Sequence, residues 1–186
     1  MDMNKTMKWT LVLLTALLLA LVCCGIAMAE EDTAWVELQA QIDKATGPIT
    51  IVLDGDVRAR SGDGNLYIGK DKDITVDLRG HSIDRARTEP TNYGHVIQVE
   101  GRLTVTDSVG GGTITGGNTK NAYTGGVLVR GTFTLENGTI CDNRVQMSYG
   151  GGVYIDKGTF NMNGGAITGN VASEGSACTM GMATST

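Results

Sequence analysis

The chain has 186 residues and carries 15 Lys and Arg side chains against 20 Asp and Glu, which gives a net charge of −5 at pH 7. A mildly acidic surface with no cluster of Lys and Arg argues against binding of nucleic acid or anionic lipid, because both need concentrated positive charge. The 4 cysteines are too few for a disulfide framework, and 27 glycines with only 2 prolines favour short strands joined by tight turns.

The first 29 residues have the pattern of a secretory signal peptide. Two lysines precede an unbroken apolar run over residues 9–24, and Ala27 and Ala29 place small side chains where a signal peptidase requires them. An uncleaved membrane anchor is one alternative, because the run is nearly long enough to span a bilayer. A lipoprotein modified at Cys24 or at the cysteine before it is another. We predict a signal peptide over residues 1–29, cleaved after Ala29.

The predicted cleavage leaves enough chain for one domain of moderate size. It removes Asp2, Lys5 and Lys8, so 157 residues with 13 basic and 19 acidic side chains remain, a net charge of −6. Of the cysteines only Cys141 and Cys178 are then left, so at most one disulfide can form and none is required. We expect a secreted or cell-surface protein that contacts no membrane after cleavage.

The secreted part opens with a helical pattern over residues 30–46. Three apolar side chains at i, i+3 and i+7 share one face of this helix: Trp35, Leu38 and Ile42. Asp32 or Thr33 can cap the first turn, and Gly47-Pro48 ends the helix. We expect the apolar face to cover the open end of the strand array that follows, where apolar core and unpaired backbone would otherwise be exposed.

From Val127 onward the sequence repeats with a period of 26 to 27 residues. Residues 126–135 (GVLVRGTFTL) return as 152–162 (GVYIDKGTFNM), and residues 137–143 (NGTICDN) return as 164–170 (GGAITGN). A unit of this size cannot bury its own apolar face, so it must stack on copies of itself.

The same spacing extends backwards and defines a coil. The last apolar position of each turn is an isoleucine, and the successive positions are 31, 26 and 27 residues apart: Ile83, Ile114, Ile140 and Ile167. Apolar and polar residues alternate within each strand, so one side faces inward. The pattern predicts an all-β fold, a right-handed parallel β-helix of about four to five coils over residues 47–174 with three short strands per coil. In the turns, Asn143 is expected to lie over Asn170 in a side-chain ladder, with Asn118 displaced by one residue.

Two phrases of this array resemble a known repeat family. Residues 164–167 (GGAI) and 160–163 (FNMN) are similar to the GGAI and FxxN repeats of polymorphic outer-membrane-protein-like adhesins. The longer phrase over residues 150–170 resembles repeats of large bacterial cell-surface proteins with a pectin-lyase-like right-handed β-helix. The resemblance covers residues 30–174 and is strong from about residue 96. It implies surface display with adhesion or scaffolding. The chain is shorter than such proteins, so we expect a truncated piece of a larger one.

The tail over residues 175–186 departs from the repeat, which predicts another Gly-Gly-Val-Tyr near residue 176. Codons for residues 177–186 can be chosen so that a shifted reading frame encodes Val-Tyr-Asn-Gly-Asn-Gly-Asn-Phe-Asn, with a glycine before it. An irregular tail that is a frameshifted next coil is one hypothesis, and an unrelated polar tail is the other. The third-position bases of the gene decide between them.

Two outward-facing columns run along the predicted strands. The column of middle strands is polar and neutral: Thr75, Thr104, Thr134 and Asn161. The column of first strands is Tyr67, Gln98, Leu128 and Tyr154. Neither holds a carboxylate pair spaced for acid–base catalysis, so we expect no catalytic, cofactor-binding or metal-binding residue. Because tyrosine offers a flat apolar face and a hydroxyl, the second column predicts an exposed ligand-contact strip for glycans or for proteins of a host or cell surface. The alternative is ordinary strand-forming residues on a sheet surface.

Charged side chains gather near the first coil: Asp71, Asp73, Asp77, Arg79, His81, Asp84 and Arg85. A solvated loop is favoured over a catalytic or Ca²⁺ site. His81 and His95 lie in turns without cysteines or a second carboxylate at metal-ligand spacing, so we expect ordinary loop histidines. Residues 110–116 (GGGTITG) could be mistaken for a phosphate loop, but they recur as 164–169 (GGAITG), which favours turn glycines.

The leading hypothesis is a non-enzymatic secreted or cell-surface β-helix module with an adhesive or structural role. The alternative is a fragment of a carbohydrate-active enzyme, a polysaccharide lyase or hydrolase, with catalytic coils in a missing continuation or in the charged first coil. Phe160, Met162 and Ile167 belong to the last predicted coil, for which the sequence offers no cap. We therefore expect marginal stability or self-association through that end.

Overall fold

The computed structural model describes residues 33–121, 123–147 and 149–173, together with the backbone of residues 178–180. The predicted signal peptide, residues 1–29, lies outside the described residues. Within them, no helix is long and apolar enough to cross a membrane. The described residues form one compact unit.

This unit begins with helix α1 (Ala34–Lys44) and continues as a stack of parallel strands. Sheet 1 contains the first strand of each coil: β3 (Leu66–Ile68), β6 (Ile97–Val99), β10 (Val127–Val129), β14 (Val153–Ile155) and β18 (Cys178–Met180). Sheet 2 contains β1 (Ile49–Val52), β4 (Asp73–Asp77), β7 (Arg102–Thr106), β11 (Thr132–Leu135) and β15 (Thr159–Met162). Sheet 3 contains β2 (Val57–Arg58), β5 (Ser82–Asp84), β8 (Thr113–Thr115), β12 (Thr139–Cys141) and β16 (Ala166–Thr168). Sheet 4 contains β9 (Asn118–Thr119), β13 (Arg144–Val145) and β17 (Val171–Ala172).

The strand pairing confirms the predicted coil and its register. Ile83 pairs with Ile114, Ile114 with Ile140 and Ile140 with Ile167, so the predicted isoleucine column is real. Coils 1 to 4 are named here by their first strands, β3, β6, β10 and β14. The prediction of three strands per coil is incomplete, because sheet 4 adds a two-residue strand in coils 2, 3 and 4. The parallel β-solenoid therefore has about five turns.

The core consists of aliphatic columns, one side chain per coil in each column. Val99, Val127, Leu135 and Ile140 have no solvent-exposed surface. Neighbouring coils approach each other closely where a glycine of one coil lies against the backbone of the next. A Cβ added to Gly94 would lie 1.8 Å from the carbonyl oxygen of Asn118. No other residue type fits there, which explains why glycines recur at the ends of the turns.

Helix α1 covers the first coil, as the sequence predicts. The three apolar residues predicted to form its buried face have at most 3 % of their surface exposed and belong to the core: Trp35, Leu38 and Ile42. The helix also pairs with the free edge of β3, because the Gln39 side-chain amide accepts a hydrogen bond from the Tyr67 N–H at 2.8 Å and donates one to the Tyr67 carbonyl at 3.0 Å. Lys72 donates to two carbonyls at the helix C-terminus, at 2.8 and 2.7 Å. The amide and the ammonium group thus satisfy backbone groups that a hydrophobic plug alone would leave exposed.

The predicted cap of this helix needs correction in one respect. Thr33 precedes the helix but makes no side-chain hydrogen bond to the first-turn backbone. Its hydroxyl donates to the carboxylate of Glu37 instead. Asp32, the other predicted cap, lies outside the described residues.

The asparagine ladder is confirmed. Asn143 is fully buried, and its Nδ2 donates to Asn170 Oδ1 at 3.0 Å and to the Ile114 carbonyl at 3.1 Å. Asn143 Oδ1 accepts the Gly117 N–H at 2.9 Å, so Gly117 occupies the equivalent position one coil earlier. Asn118 pairs with Arg144, displaced by one residue as predicted. The ladder joins coils 2, 3 and 4 through the interior of one corner.

The glycines over residues 110–116 are turn residues, as expected. Gly110 and Gly111 both have φ of +92°, a conformation that glycine adopts without strain. The turn encloses the carboxylate of Asp107, which accepts backbone N–H groups from Gly80 and Gly112 at 2.7 Å and from Gly110 at 3.1 Å.

At the far end of the described stack, Phe160 and Ile167 are half-buried and Met162 is 49 % exposed. The Phe160 ring stacks on Phe133 of coil 3 with centroids 5.1 Å apart. Strand β18, within the segment that was expected to be an irregular tail, pairs in parallel with β14. The repeat thus places a strand there although the Gly-Gly-Val-Tyr phrase is absent.

Candidate functional site

The predicted first-strand column exists, but half of it is not exposed. Tyr67 pairs with Gln98, Gln98 with Leu128, and Leu128 with Tyr154 on the outer side of sheet 1. Tyr67 is 43 % exposed and Gln98 is partly exposed, whereas Leu128 and Tyr154 are only 5 % and 8 % exposed. The predicted exposure was therefore wrong for Leu128 and Tyr154. The reason lies in the loops that precede the strands and fold over this face.

These loops carry a tyrosine at the same place in three successive coils. Tyr93, Tyr123 and Tyr149 each stand four residues before the first residue of a sheet 1 strand. All three are exposed, by 73 %, 49 % and 45 % of their surface. The Tyr123 ring stacks on Tyr154 with centroids 4.9 Å apart and an angle of 20° between the planes, so the loop tyrosine shields the strand tyrosine.

An open groove of about 400 Å³ lies between two of these loops and sheet 1. The residues that line it combine aromatic rings, amides, an aliphatic side chain and basic groups: Asn92, Tyr93, His95, Gln98, Asn121, Tyr123, Leu128 and Arg130. Flat apolar rings next to amide donors and acceptors suit a ligand that has both apolar faces and hydroxyl groups. The groove, rather than the strand column by itself, is the candidate site.

An ion-pair ladder borders the groove. Glu100, Arg130 and Asp156 stand one residue after the strands β6, β10 and β14. Arg130 Nε lies 2.8 Å from Asp156 Oδ2, and its Nη1 lies 3.3 Å from Glu100 Oε1. Gln98 donates to the same Glu100 oxygen at 2.9 Å, which ties the groove floor to the ladder.

The electrostatics of this face follow from that ladder. Hydrogen bonding to Asp156, opposed by burial and assisted by Glu100, raises the pKa of Arg130 above its usual value. Burial, followed by the charge of Asp156, raises the pKa of Tyr154. Both groups therefore keep their protons throughout the physiological range. Beside the ladder, Lys70 and Lys157 line an open charged depression with the same three residues.

Tyr67 lies apart from the groove. It borders a separate depression together with Trp35, Gln39 and Asp43 of helix α1. The predicted continuous strip is thus divided: Gln98 and Leu128 lie in the groove, Tyr154 lies under Tyr123, and Tyr67 belongs to the capped end.

The charged cluster of the first coil is made of ion pairs and turn caps. Asp84 binds Arg58 at 2.7 Å, Asp73 lies 3.6 Å from Arg102, and Asp77 accepts the backbone N–H of Ser108 at 2.9 Å. No group of three or more potential metal ligands occurs among the described residues.

Two residues predicted to lie in loops are buried: Arg85 is 2 % exposed and His95 is 1 % exposed. The expectation of a solvated side chain was therefore wrong for Arg85. His95 lies in a loop, as predicted, and is buried there. Arg85 lies two residues after the buried Ile83. Because side chains two residues apart in a strand point to the same side, the Arg85 side chain also points inward. His95 lies in the loop two residues before strand β6, next to the buried Val96.

Sequence reasoning missed the loop tyrosines and the ion-pair ladder, although both have a sequence signal. The tyrosines recur at intervals of 30 and 26 residues, and the ladder residues recur at the same two intervals. These are the spacings of the coils themselves.

No family model, curated protein or solved structure matches this chain. The likeness of its repeats to adhesin repeats therefore stays a resemblance of short phrases, and the fold and the groove carry the functional argument.

Proposed function

We propose that this chain is a secreted or cell-surface β-solenoid module with an adhesive or structural role, and that its groove contacts glycans. The supporting observation is an exposed tyrosine at the same point of three successive coils, two of which, Tyr93 and Tyr123, line a groove that also contains amides. A solenoid presents such positions at the repeat distance of about 4.8 Å between strands, so a ligand that lies along the axis meets chemically similar groups at regular intervals. A polymer of sugar rings has that regularity.

The charges of the groove favour a neutral glycan over a strongly anionic one. Arg130 is the only Lys or Arg among the groove residues, and it already binds Glu100 and Asp156. The amides of Asn92 and Asn121 line the groove and can bind hydroxyl groups, and the ring of Tyr93, 73 % exposed, offers a stacking surface. The pectin-lyase-like type of β-helix and the adhesin-like repeat are parts of this proposal.

Binding to a panel of immobilised neutral and acidic polysaccharides tests the proposal. With the full chain, we expect retention on at least one neutral polysaccharide. Replacing Tyr93 with Ala should weaken that binding about tenfold, because a stacked ring contributes on the order of 1.4 kcal/mol. Tyr93→Phe should retain most of it, since the ring is kept. Val109→Ala is the matched control, because Val109 is 69 % exposed in a turn between sheets 2 and 3.

Three results would contradict the proposal: no binding to any polysaccharide, equal binding by Tyr93→Ala and the unsubstituted chain, or loss of binding in the Val109→Ala control. Retention of surface proteins together with failure to retain polysaccharides would instead identify a protein partner.

The enzymatic alternative has its own measurement. A polysaccharide lyase or hydrolase would release unsaturated products or new reducing ends from uronic-acid polysaccharides, with or without Ca²⁺. The carboxylates that border the groove are Glu100 and Asp156, and both bind Arg130. A general acid or base must be free to exchange its proton with the substrate, so this pairing favours the binding module.

A further inference from the structure

A positive charge is buried where helix α1 meets coil 1. Arg85 is among the largest fully buried side chains, and its guanidinium carbon lies 5.3 Å from the centroid of the Trp35 ring. Burial and the charge of Arg87, opposed by the charge of Asp63, lower its pKa to about 10, so the group stays charged at neutral pH. A charge in the interior is strongly unfavourable unless a counter-charge and hydrogen bonds compensate it.

The protein supplies only part of that compensation. Arg85 Nη2 donates to the Asp63 carbonyl at 2.6 Å, and Arg87 Nη2 donates to the same oxygen at 2.7 Å. The two cations therefore converge on one neutral acceptor. Arg87 Nη1 also donates to the Ser61 carbonyl at 2.7 Å. Among the described residues, no carboxylate lies within salt-bridge distance of either guanidinium. The Asp63 carboxylate instead accepts the Arg60 N–H at 2.7 Å.

Several polar atoms at this corner have no hydrogen-bond partner in the protein. Three of them are guanidinium nitrogens that can only donate: Arg85 Nε, Arg85 Nη1 and Arg87 Nε. Burial, followed by the charge of Arg85, lowers the pKa of the nearby His95 to about 4. The register of β3 with β6, extended back by two residues, places His95 beside Gly64, which is next to Asp63. His95 is thus one coil away from the point where the two arginines converge.

We propose that this corner binds a small inorganic anion of about the size of chloride, held by the unpaired guanidinium nitrogens of Arg85 and Arg87. The carboxylate of Asp63 acts on Arg85 but already pairs with Arg60, so two guanidinium groups face less than one free negative charge. An anion supplies both an acceptor and further counter-charge, whereas a water molecule supplies an acceptor alone. The near-complete burial of Arg85 and His95 favours a single ion over an organic carboxylate. The ion would join the N-terminal cap to coils 1 and 2, since Arg85 also contacts Trp35.

The stability of the full chain in different salts tests this inference. Thermal unfolding is measured in sodium chloride and in sodium gluconate at equal ionic strength, because gluconate is too large for the corner. We expect a higher Tm in chloride than in gluconate. We also expect Tm to rise with the chloride concentration, because an ion that binds only the folded state stabilises that state. Arg85→Met should abolish the difference. Arg102→Met, which removes an exposed arginine paired with Asp73, should retain it.

A second measurement locates the ion without any substitution, so it tests the proposal even if Arg85→Met fails to fold. Crystals of the full chain soaked in sodium bromide should show an anomalous scattering peak beside Arg85 and Arg87. Equal Tm in the two salts, a chloride effect that persists in Arg85→Met, or the absence of a bromide peak at this corner would each overturn the proposal. Neither the Tm difference nor the bromide peak depends on whether the groove binds polysaccharides. The anion proposal can therefore fail while the glycan proposal stands, and the reverse.

Discussion

Replacing Asn143 with Ala removes four side-chain hydrogen bonds from the interior of the solenoid. The lost bonds are those to the Gly117 N–H, to the carbonyls of Ile114 and Cys141, and to Asn170 Oδ1, all between 2.9 and 3.1 Å. Asn170 Oδ1 keeps the backbone N–H of Asn143 at 3.0 Å. The Gly117 N–H keeps no acceptor in the described structure, and a buried donor without a partner costs about 1–3 kcal/mol.

The weakened carbonyls and the space left by the amide add to that cost, so we expect a total loss of about 3–5 kcal/mol in the free energy of unfolding. Asn143→Asp should be at least as damaging, because it replaces the amide donor with a buried charge. Asn161→Ala is the matched control. Asn161 is exposed on sheet 2 and makes one long hydrogen bond, 3.4 Å to Thr134, so its removal should change stability by no more than about 0.5 kcal/mol.

Urea unfolding followed by far-ultraviolet circular dichroism measures both variants. A fall in the midpoint with an unchanged slope gives the loss of stability directly. If Asn143→Ala loses less than about 1 kcal/mol, or no more than Asn161→Ala, then the ladder does not hold the coils together and the reasoning fails.

Two further predictions concern the cap and a turn. Leu38→Ala should lower the free energy of unfolding by about 2–5 kcal/mol, because Leu38 is 2 % exposed, whereas Val36→Ala on the 46 % exposed face of the same helix should cost less than about 0.5 kcal/mol in urea titrations. Burial alone would raise the pKa of Asp107, but backbone N–H groups that bind its carboxylate hold the pKa below its ordinary value. The carboxylate therefore stabilises the fold above the unfolded-state pKa of about 3.9, and this contribution disappears as the pH falls through the lower folded-state value. The urea midpoint of Asp107→Asn should lie below that of the unsubstituted chain at pH 7, and the two should converge in acid. A constant gap down to pH 2 would contradict the assignment.

Much of the fold could be predicted because the repeat fixes which side chains face inward. The isoleucines one coil apart occupy the same column, and pairing one of them determines the register of its neighbours. The same logic placed Trp35, Leu38 and Ile42 on the buried face of the helical segment that opens the predicted secreted part. Alternation within strands and periodicity within a helix are local properties, so they can be read from a sequence.

The candidate site was harder to predict because it depends on how loops cover the sheet. Tyr154 has the sequence position of an outward side chain, and it is outward, but the ring of Tyr123 lies over it. The length and course of the preceding loop determine that cover, and strand alternation contains no information about them. The fourth sheet was missed for a related reason, since its strands have only two residues and lack a recognisable alternation.

The sequence also predicted some of the buried polar groups and not others. The position of Asn143 over Asn170 follows from the repeat period, and the ladder was predicted from it. Arg85 and His95 do not follow from the period: the charged surroundings of Arg85 indicated a solvated loop, and His95 was predicted only to lie in a loop. Only the folded chain shows that both are buried and that Arg85 packs against Trp35 of helix α1.

By itself the sequence determined the parallel coils, their register, the apolar columns and the covering helix, because each depends on the spacing of residue types along the chain. The tertiary structure decided which outward residues remain exposed, how the groove forms beneath the loop tyrosines, and where a guanidinium group becomes buried. Those outcomes depend on contacts between segments from different coils. The free energy of such contacts arises only when the coils stack, so no single segment contains them.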